Sequence, residues 1–277
     1  MPELTKDRII VALDVDNPAT AVTLVENLYP YVGDFKIGLE FINSIIASVI
    51  SPKDEKEALN NLQKLRELFE LLDGKIFWDG KFNDIPRTII GASQVISSKL
   101  NVDMFNIHCL SGSEALRAAK KAAMDSLAEP LVLGVTILTS LDYNNLVELG
   151  IEEKLNITDK EELGRIEQDR IERLAVRHLA YLAQECGLDG VIASPKEITA
   201  IRKYCQPELL VVTPGIRPEW AAAGDQKRIM TPGEAIKLGA DYIVIGRPIT
   251  SPPPGIGTPQ HAVELITEEI EEALTAQ

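Results

Sequence analysis

Eight short runs rich in β-branched and aliphatic residues recur along the chain, and longer stretches with helical spacing separate most of them. The runs are RIIVALD at 8–14, FKIG at 35–38, KIFWD at 75–79, DMFNI at 103–107, PLVLGVT at 130–136, DGVIA at 189–193, LLVVT at 209–213 and DYIVIG at 241–246. Strands alternating with helices imply a parallel sheet, because each strand must be regained through a crossover. Eight such units in roughly 250 residues predict an α/β fold of the closed (β/α)8 type, the TIM barrel, with a doubly wound open sheet as the structural alternative.

The intervals carry the matching helical signals. PATAVTLVENLY at 18–29 follows Asn17 as an N-cap and opens on Pro18. Stretches 57–72, 113–124, 171–186 and 261–274 place apolar residues at helical spacing. No Pro-, Gly- or Ser-rich linker divides the chain, so residues 1–277 are expected to form a single barrel domain. Two connections are long, and insertions are expected near 44–62 and 142–168, the second with two short helices.

Charge and cysteine usage exclude several classes of function. A formal charge of −14 argues against nucleic acid or an anionic membrane as a partner, but leaves room for a small anion held by a few local cations. The three cysteines are not spaced as a CxxC pair, so neither a disulfide framework nor a zinc site follows. The N-terminal residues carry charges where a secretion signal needs an apolar stretch, and the apolar segment 37–50 contains Glu40 and is too short to span a bilayer. A cytoplasmic setting is expected.

In a β/α barrel the chemistry gathers at the C-terminal ends of the strands. Every run here leads to a polar group there: Asp14, Lys36, Asp79 with Lys81, His108, Thr136 with Thr139, Ser194, Thr213 with Arg217, and Gly246 with Arg247. Asp79 and Lys81 are two apart, so in an extended chain both point the same way, and opposite charges brought close favour each other's ionised forms. Such a pair can set an ammonium proton donor beside a carboxylate. A strand-end salt bridge is the plainer alternative, and Lys36 and Asp14 on neighbouring strands weigh against it. Gly246 followed by Arg247 suits an anion, since glycine lets backbone N–H groups approach and arginine adds a forked donor. Gln226, beyond the run AAAG, is a candidate inward-reaching residue on a closing loop at 218–226. His178 and His261 fall in helical patterns and are expected to be non-catalytic.

DGKFNDIPRT at 79–88 resembles the DxKxxDIPxT signature of the orotidine 5′-phosphate decarboxylase family, in its bacterial type. VALDVD at 11–16, FKIGLE at 35–40, VDMFNIH at 102–108, GVTILTS at 134–140, VVTPGIRP at 211–218, DQKRIMTP at 225–232 and GADYIVIGRPIT at 239–250 extend the resemblance over nearly the whole chain in barrel order. The resemblance implies decarboxylation of orotidine 5′-phosphate to uridine 5′-phosphate and CO2, the last step of de novo UMP synthesis, without metal or organic cofactor. It implies a charge network of Lys36, Asp79, Lys81 and Asp84, with Lys81 as the proton donor to C6 of the pyrimidine. Asp84, Ile85 and Thr88 would reach the neighbouring subunit's site, making a homodimer with shared active sites the functional unit. Asp14 and Lys36 match ribose contacts, Thr139 a base contact, and Gln226, Gly246 and Arg247 the phosphate side, with Arg217 in the same shell. Arg87 stands where the family pattern leads one to expect Asn. Related barrels that share DxKxxD, such as hexulose-phosphate synthases and keto-gulonate-phosphate decarboxylases, act on sugar phosphates and need Mg²⁺; the DIPxT continuation with LTS and DQKR favours the pyrimidine enzyme. An inactive barrel that only binds nucleotide is the third possibility, opposed by the intact Asp79, Lys81 and Asp84.

Overall fold

A computed structural model describes residues 2, 4–221 and 230–276, so Gln226 and most of the 218–226 segment expected to close over the site lie outside the described residues. A short 3-10 turn, Thr5–Arg8, leads into β1 (Ile9–Ala12), α1 (Pro18–Leu28), β2 (Asp34–Gly38), α2 (Leu39–Ile50) and α3 (Glu55–Leu72). There follow β3 (Ile76–Phe82), α4 (Pro86–Lys99), β4 (Met104–His108), α5 (Gly112–Met124) and β5 (Leu131–Val135). Next are α6 (Tyr143–Glu148), α7 (Lys160–Glu172), α8 (Tyr181–Glu185), β6 (Gly190–Ile192), α9 (Ile198–Tyr204) and β7 (Leu210–Thr213). The chain ends with α10 (Pro232–Leu238), β8 (Tyr242–Ile245), α11 (Arg247–Thr250) and α12 (Pro259–Thr275). All eight strands pair in parallel in sequence order, and β8 closes on β1 through the registers Ile9↔Ile243 and Val11↔Ile245. The closed sheet excludes the doubly wound alternative.

Side-chain alternation along each strand builds two apolar layers. Ile10, Ala12, Phe77, Met104, Leu133, Val135, Ile192, Leu210, Val212, Tyr242 and Val244 fill the barrel interior. Their neighbours Ile9, Val11, Phe35, Ile37, Phe105, Ile107, Val211, Ile243 and Ile245 face outward and pack under the helices. Burying both faces explains why the strands read as near-continuous apolar runs.

Local signals set the helix ends. The Asn17 side chain accepts from Thr20 N at 2.9 Å, capping α1 where the sequence predicts, and Asp54 caps α3 by accepting from Glu57 N at 2.8 Å. Residues 44–62 span the end of α2 and the start of α3. Over 142–168 the sequence predicts two short helices, and the second of these is longer than predicted. From α7 the chain continues through a π-helical stretch, Arg173–Ala180, into α8, because Ile171, Ala175, Val176, Leu179 and Ala183 form one continuous buried face. Among the described residues, no helix is long and apolar enough to cross a membrane.

Candidate active site

The inward-facing positions continue past the barrel core to its C-terminal mouth. There Ala12 is succeeded by Asp14, Phe77 by Asp79, Val135 by Ile137 and Thr139, and Val244 by Gly246. Lys36 takes the inward place on β2. These residues line a cavity of about 650 Å³, with Phe77, Val135, Ile192 and Val244 shared with the apolar interior below.

Four charged groups from the first three strands form one line. Lys36 Nζ lies 3.0 Å from Asp14 Oδ1 and 3.3 Å from Asp79 Oδ2, and Lys81 Nζ lies 2.7 Å from Asp79 Oδ1. Burial opposes the charge on Lys36, but Asp79 and Asp14 together outweigh it and hold the ammonium above its ordinary value. Gly38 makes room for this line: a Cβ there would stand 2.7 Å from Lys36 Nζ.

Asp79 and Lys81 meet as expected, but not by regular strand alternation. Regular strand geometry does not carry Lys81 inward, because its φ is +45°, in the left-handed region. The β3–β4 ladder pairs Trp78 with Phe105 and then Phe82 with Ile107, so four steps on β3 match two on β4 and two extra residues bulge out. Asn106, fully buried on β4, spans the bulge. Its Oδ1 accepts from Lys81 N at 2.7 Å, and its Nδ2 donates to Asp79 Oδ1. Asn106 bears no charge that marks it in the sequence, although period-two alternation from Met104 places it inward.

Two guanidiniums enter the cavity across the barrel. Arg217 follows β7, four strands from β3, and Arg247 follows Gly246 at the end of β8. Burial, and then the neighbouring Arg247 charge, hold Arg217 below its ordinary value. Two like charges this close suit a multiply charged anion. The lining also includes Glu40 and Ser140, which the sequence reading did not select.

Not every strand-end group serves the cavity. Thr136 is buried and donates to Ile192 O at 3.0 Å, Ser194 caps the 3-10 turn Pro195–Glu197, and Thr213 is buried in the outward phase. His108 also stands outside the lining; burial, then Lys81, lowers its basicity. His178 and His261 are exposed on helices. Asp14, Lys36, Asp79, Lys81, Thr139, Arg217, Gly246 and Arg247 are brought together around the cavity, whereas Asp84, Ile85 and Thr88 are exposed at the start of α4 and do not line it. Ile85 is 64% exposed, a large apolar side chain that takes no part in lining the cavity. Among the described residues, no three His, Cys, Asp or Glu side chains are grouped as metal ligands would be.

Fold and cavity together define a (β/α)8-barrel enzyme with a carboxylate–ammonium line facing paired guanidiniums. The chain belongs to the orotidine 5′-phosphate decarboxylase / HUMPS family, whose model matches residues 7–256. An orotidine 5′-phosphate decarboxylase from Moorella thermoacetica is 42% identical over 272 residues, covering 96% of this chain and 93% of the relative. One from Syntrophomonas wolfei is 41% identical over 275 residues, covering 96% of this chain and 99% of the relative. The crystal structure of orotidine 5′-phosphate decarboxylase from Lactobacillus acidophilus superposes with a TM-score of 0.65 at 26% identity, covering 95% of this chain and 98% of that one.

Proposed function

We propose that this chain converts orotidine 5′-phosphate to uridine 5′-phosphate and CO2, the last step of de novo UMP synthesis, with Lys81 delivering the proton to C6 and without metal or organic cofactor. The observation that carries this is the Asp14–Lys36–Asp79–Lys81 line at the mouth of a cavity that also holds Arg217 and Arg247. The nucleotide phosphate takes the guanidinium side with Gly246, Asp14 and Lys36 hold the ribose, and Thr139 meets the base. The pyrimidine then sits with its carboxylate toward Asp79.

Chemical balance assigns the steps. The C6–carboxylate bond breaks, CO2 leaves, and the electron pair remains on C6 in an orbital that the ring π-system does not delocalise. The Lys81 ammonium, fixed beside that carbon, stabilises the developing charge and transfers a proton to it, and water then reprotonates the amine. Asp79 holds the ammonium in place and faces the departing carboxylate; two anions about 4 Å apart repel by about 4 kcal/mol at an effective dielectric near 20. Phosphate binding remote from C6 supplies binding energy that the chemical step uses. Asp84, with Ile85 and Thr88, completes the site of a second copy, so the working unit is a homodimer in a cytoplasmic setting. Their exposure, and their absence from their own cavity, support this assignment.

The ultraviolet change of orotidine 5′-phosphate tests the proposal. Wild-type protein is expected to turn over in excess chelator, and Lys81→Ala to lose nearly all activity while still binding uridine 5′-phosphate. Metal-dependent turnover, or an active Lys81→Ala, would overturn it.

A further inference from the structure

We propose that Asn106 is a positioning residue of the decarboxylation, acting on Lys81 and Asp79 together; this rests on the activity proposed above. Asn106 is fully buried on the inward face of β4, and its amide is spent on the reacting pair. The Nδ2 group donates to Asp79 Oδ1, the same oxygen that receives Lys81 Nζ at 2.7 Å. The Oδ1 atom accepts the Lys81 backbone N–H at 2.7 Å. One side chain therefore fixes the carboxylate and the backbone of the lysine it holds.

The bulge makes this bridge necessary. Lys81 has a φ of +45°, and it is the only residue inside a strand among the non-glycine residues described with positive φ; Asp73, Asn101 and Glu129 lie in turns and loops. A left-handed lysine costs about 1–2 kcal/mol and persists only where its surroundings hold it. The β4 backbone leaves Lys81 N–H without a ladder partner, because register resumes only at Phe82↔Ile107. The Asn106 carbonyl oxygen takes that place. Without it, the strand can relax toward regular geometry, carrying Lys81 Nζ away from the atom it protonates. The other half of the amide limits rotation of the Asp79 carboxylate, which Lys36 holds from its second oxygen at 3.3 Å.

Asn106→Ala removes both contacts. Asn106→Asp keeps the shape and the acceptor for Lys81 N–H, but turns a carboxylate oxygen toward Asp79. In both variants kcat on orotidine 5′-phosphate is expected to fall by roughly 10²-fold, the usual effect of about 1 Å of misplacement. Affinity for uridine 5′-phosphate, set by the ribose and phosphate contacts, is expected to stay near that of wild type. An unchanged kcat overturns the proposal, as does a parallel loss of kcat and uridine 5′-phosphate affinity, which marks a general structural role. If Asn106→Ala does not fold, Asn106→Asp decides by the same two readings, and failure of both to fold also assigns Asn106 a structural role. Labelling of Lys81 by an amine-reactive reagent, followed by peptide mass in the same proteins, does not depend on turnover. It is expected to quicken in the variants, and an unchanged rate overturns the positioning role. Wild-type protein without turnover would instead overturn the proposed activity, and the labelling result would then decide the role of Asn106 separately.

Discussion

Lys36 and Lys81 share one carboxylate, and the space around that shared group is as specific as its charge. Asp79 is 6% exposed, so each contact with it is made largely out of water, where losing a partner costs more than at a surface. Gly38 shows how narrow the tolerance is. In Gly38→Ala the new Cβ meets the Lys36 ammonium at 2.7 Å, and the Asp14 and Asp79 carboxylates lie just beyond. The tip of a lysine can move, so the fold should survive with little loss of stability, but the line from Asp14 to Asp79 should break. Steady-state kinetics on orotidine 5′-phosphate are expected to show kcat/KM lowered by on the order of 10- to 100-fold, about 1.4–2.7 kcal/mol of transition-state stabilisation. A variant as active as wild type would mean that Lys36 is not held where catalysis needs it. At this scale the sequence exposed the charged members and hid the neutral ones. Asp79 and Lys81 announce themselves by charge, whereas Gly38 acts by the space it leaves the Lys36 ammonium of its own strand, and Asn106 reaches Lys81 and Asp79 from β4, neither bearing a charge that marks it.

Strands and helices were the most legible elements. All eight strands form where the apolar runs fall, and Asn17 and Pro18 begin α1 as predicted. Boundaries were less visible where tertiary packing set them, as in the continuous passage from α7 through the π-helical stretch to α8. The strand β6 is only three residues long, Gly190–Ile192, and its first residue is pressed against β7. A Cβ on Gly190 would stand 2.6 Å from Leu210 O and 2.7 Å from Leu210 Cβ. Unlike the lysine tip beside Gly38, this neighbour is backbone within a closed sheet and cannot yield alone. Gly190→Ala is therefore expected to destabilise the protein by about 1–3 kcal/mol, read as a lower midpoint in urea at unchanged slope. A midpoint equal to that of wild type would show that β6 and β7 can separate at little cost.

For the whole molecule, the two ends of the barrel do different work. The C-terminal end gathers paired charges, while the N-terminal end buries Asp34, whose Oδ1 has no hydrogen-bond partner among the described residues. Burial, and then Asp103 beside it, push the Asp34 carboxyl up from 3.8 to about 7. The folded protein thus keeps a proton that the unfolded chain releases at lower pH. The stability from protonated Asp34 is complete below the unfolded value of 3.8 and is lost as pH rises through about 7. Thermal or urea unfolding across this range is expected to show wild-type stability falling by up to about 1.4 kcal/mol per pH unit. Asp34→Asn should flatten the curve and be the more stable protein on the alkaline side, and parallel curves would refute the assignment. Assembly is tested separately. If the proposed homodimer forms, Lys81→Ala and Asp84→Ala proteins, each expected to be inactive alone, regain part of the activity when mixed, because a hybrid would hold one site with both groups intact. No recovery in mixtures shown to exchange subunits would remove Asp84 from the partner's site.

The sequence by itself determined the number and direction of the strands, the inward phase that carries Asp14, Asp79 and Gly246 to one mouth, and the signature joining Asp79 to Thr88. These are local properties, set by a two-residue alternation and by which residue types stand side by side. Tertiary structure alone decided which strand-end groups share the cavity. It turned Thr136, Ser194 and Thr213 to backbone, capping and packing roles, left Asp84 outside the cavity, and brought Asn106 across a bulge to Lys81. Closure of the barrel sets these outcomes, because the register between neighbouring strands fixes which side chains meet, and that register is a property of the sheet as a whole.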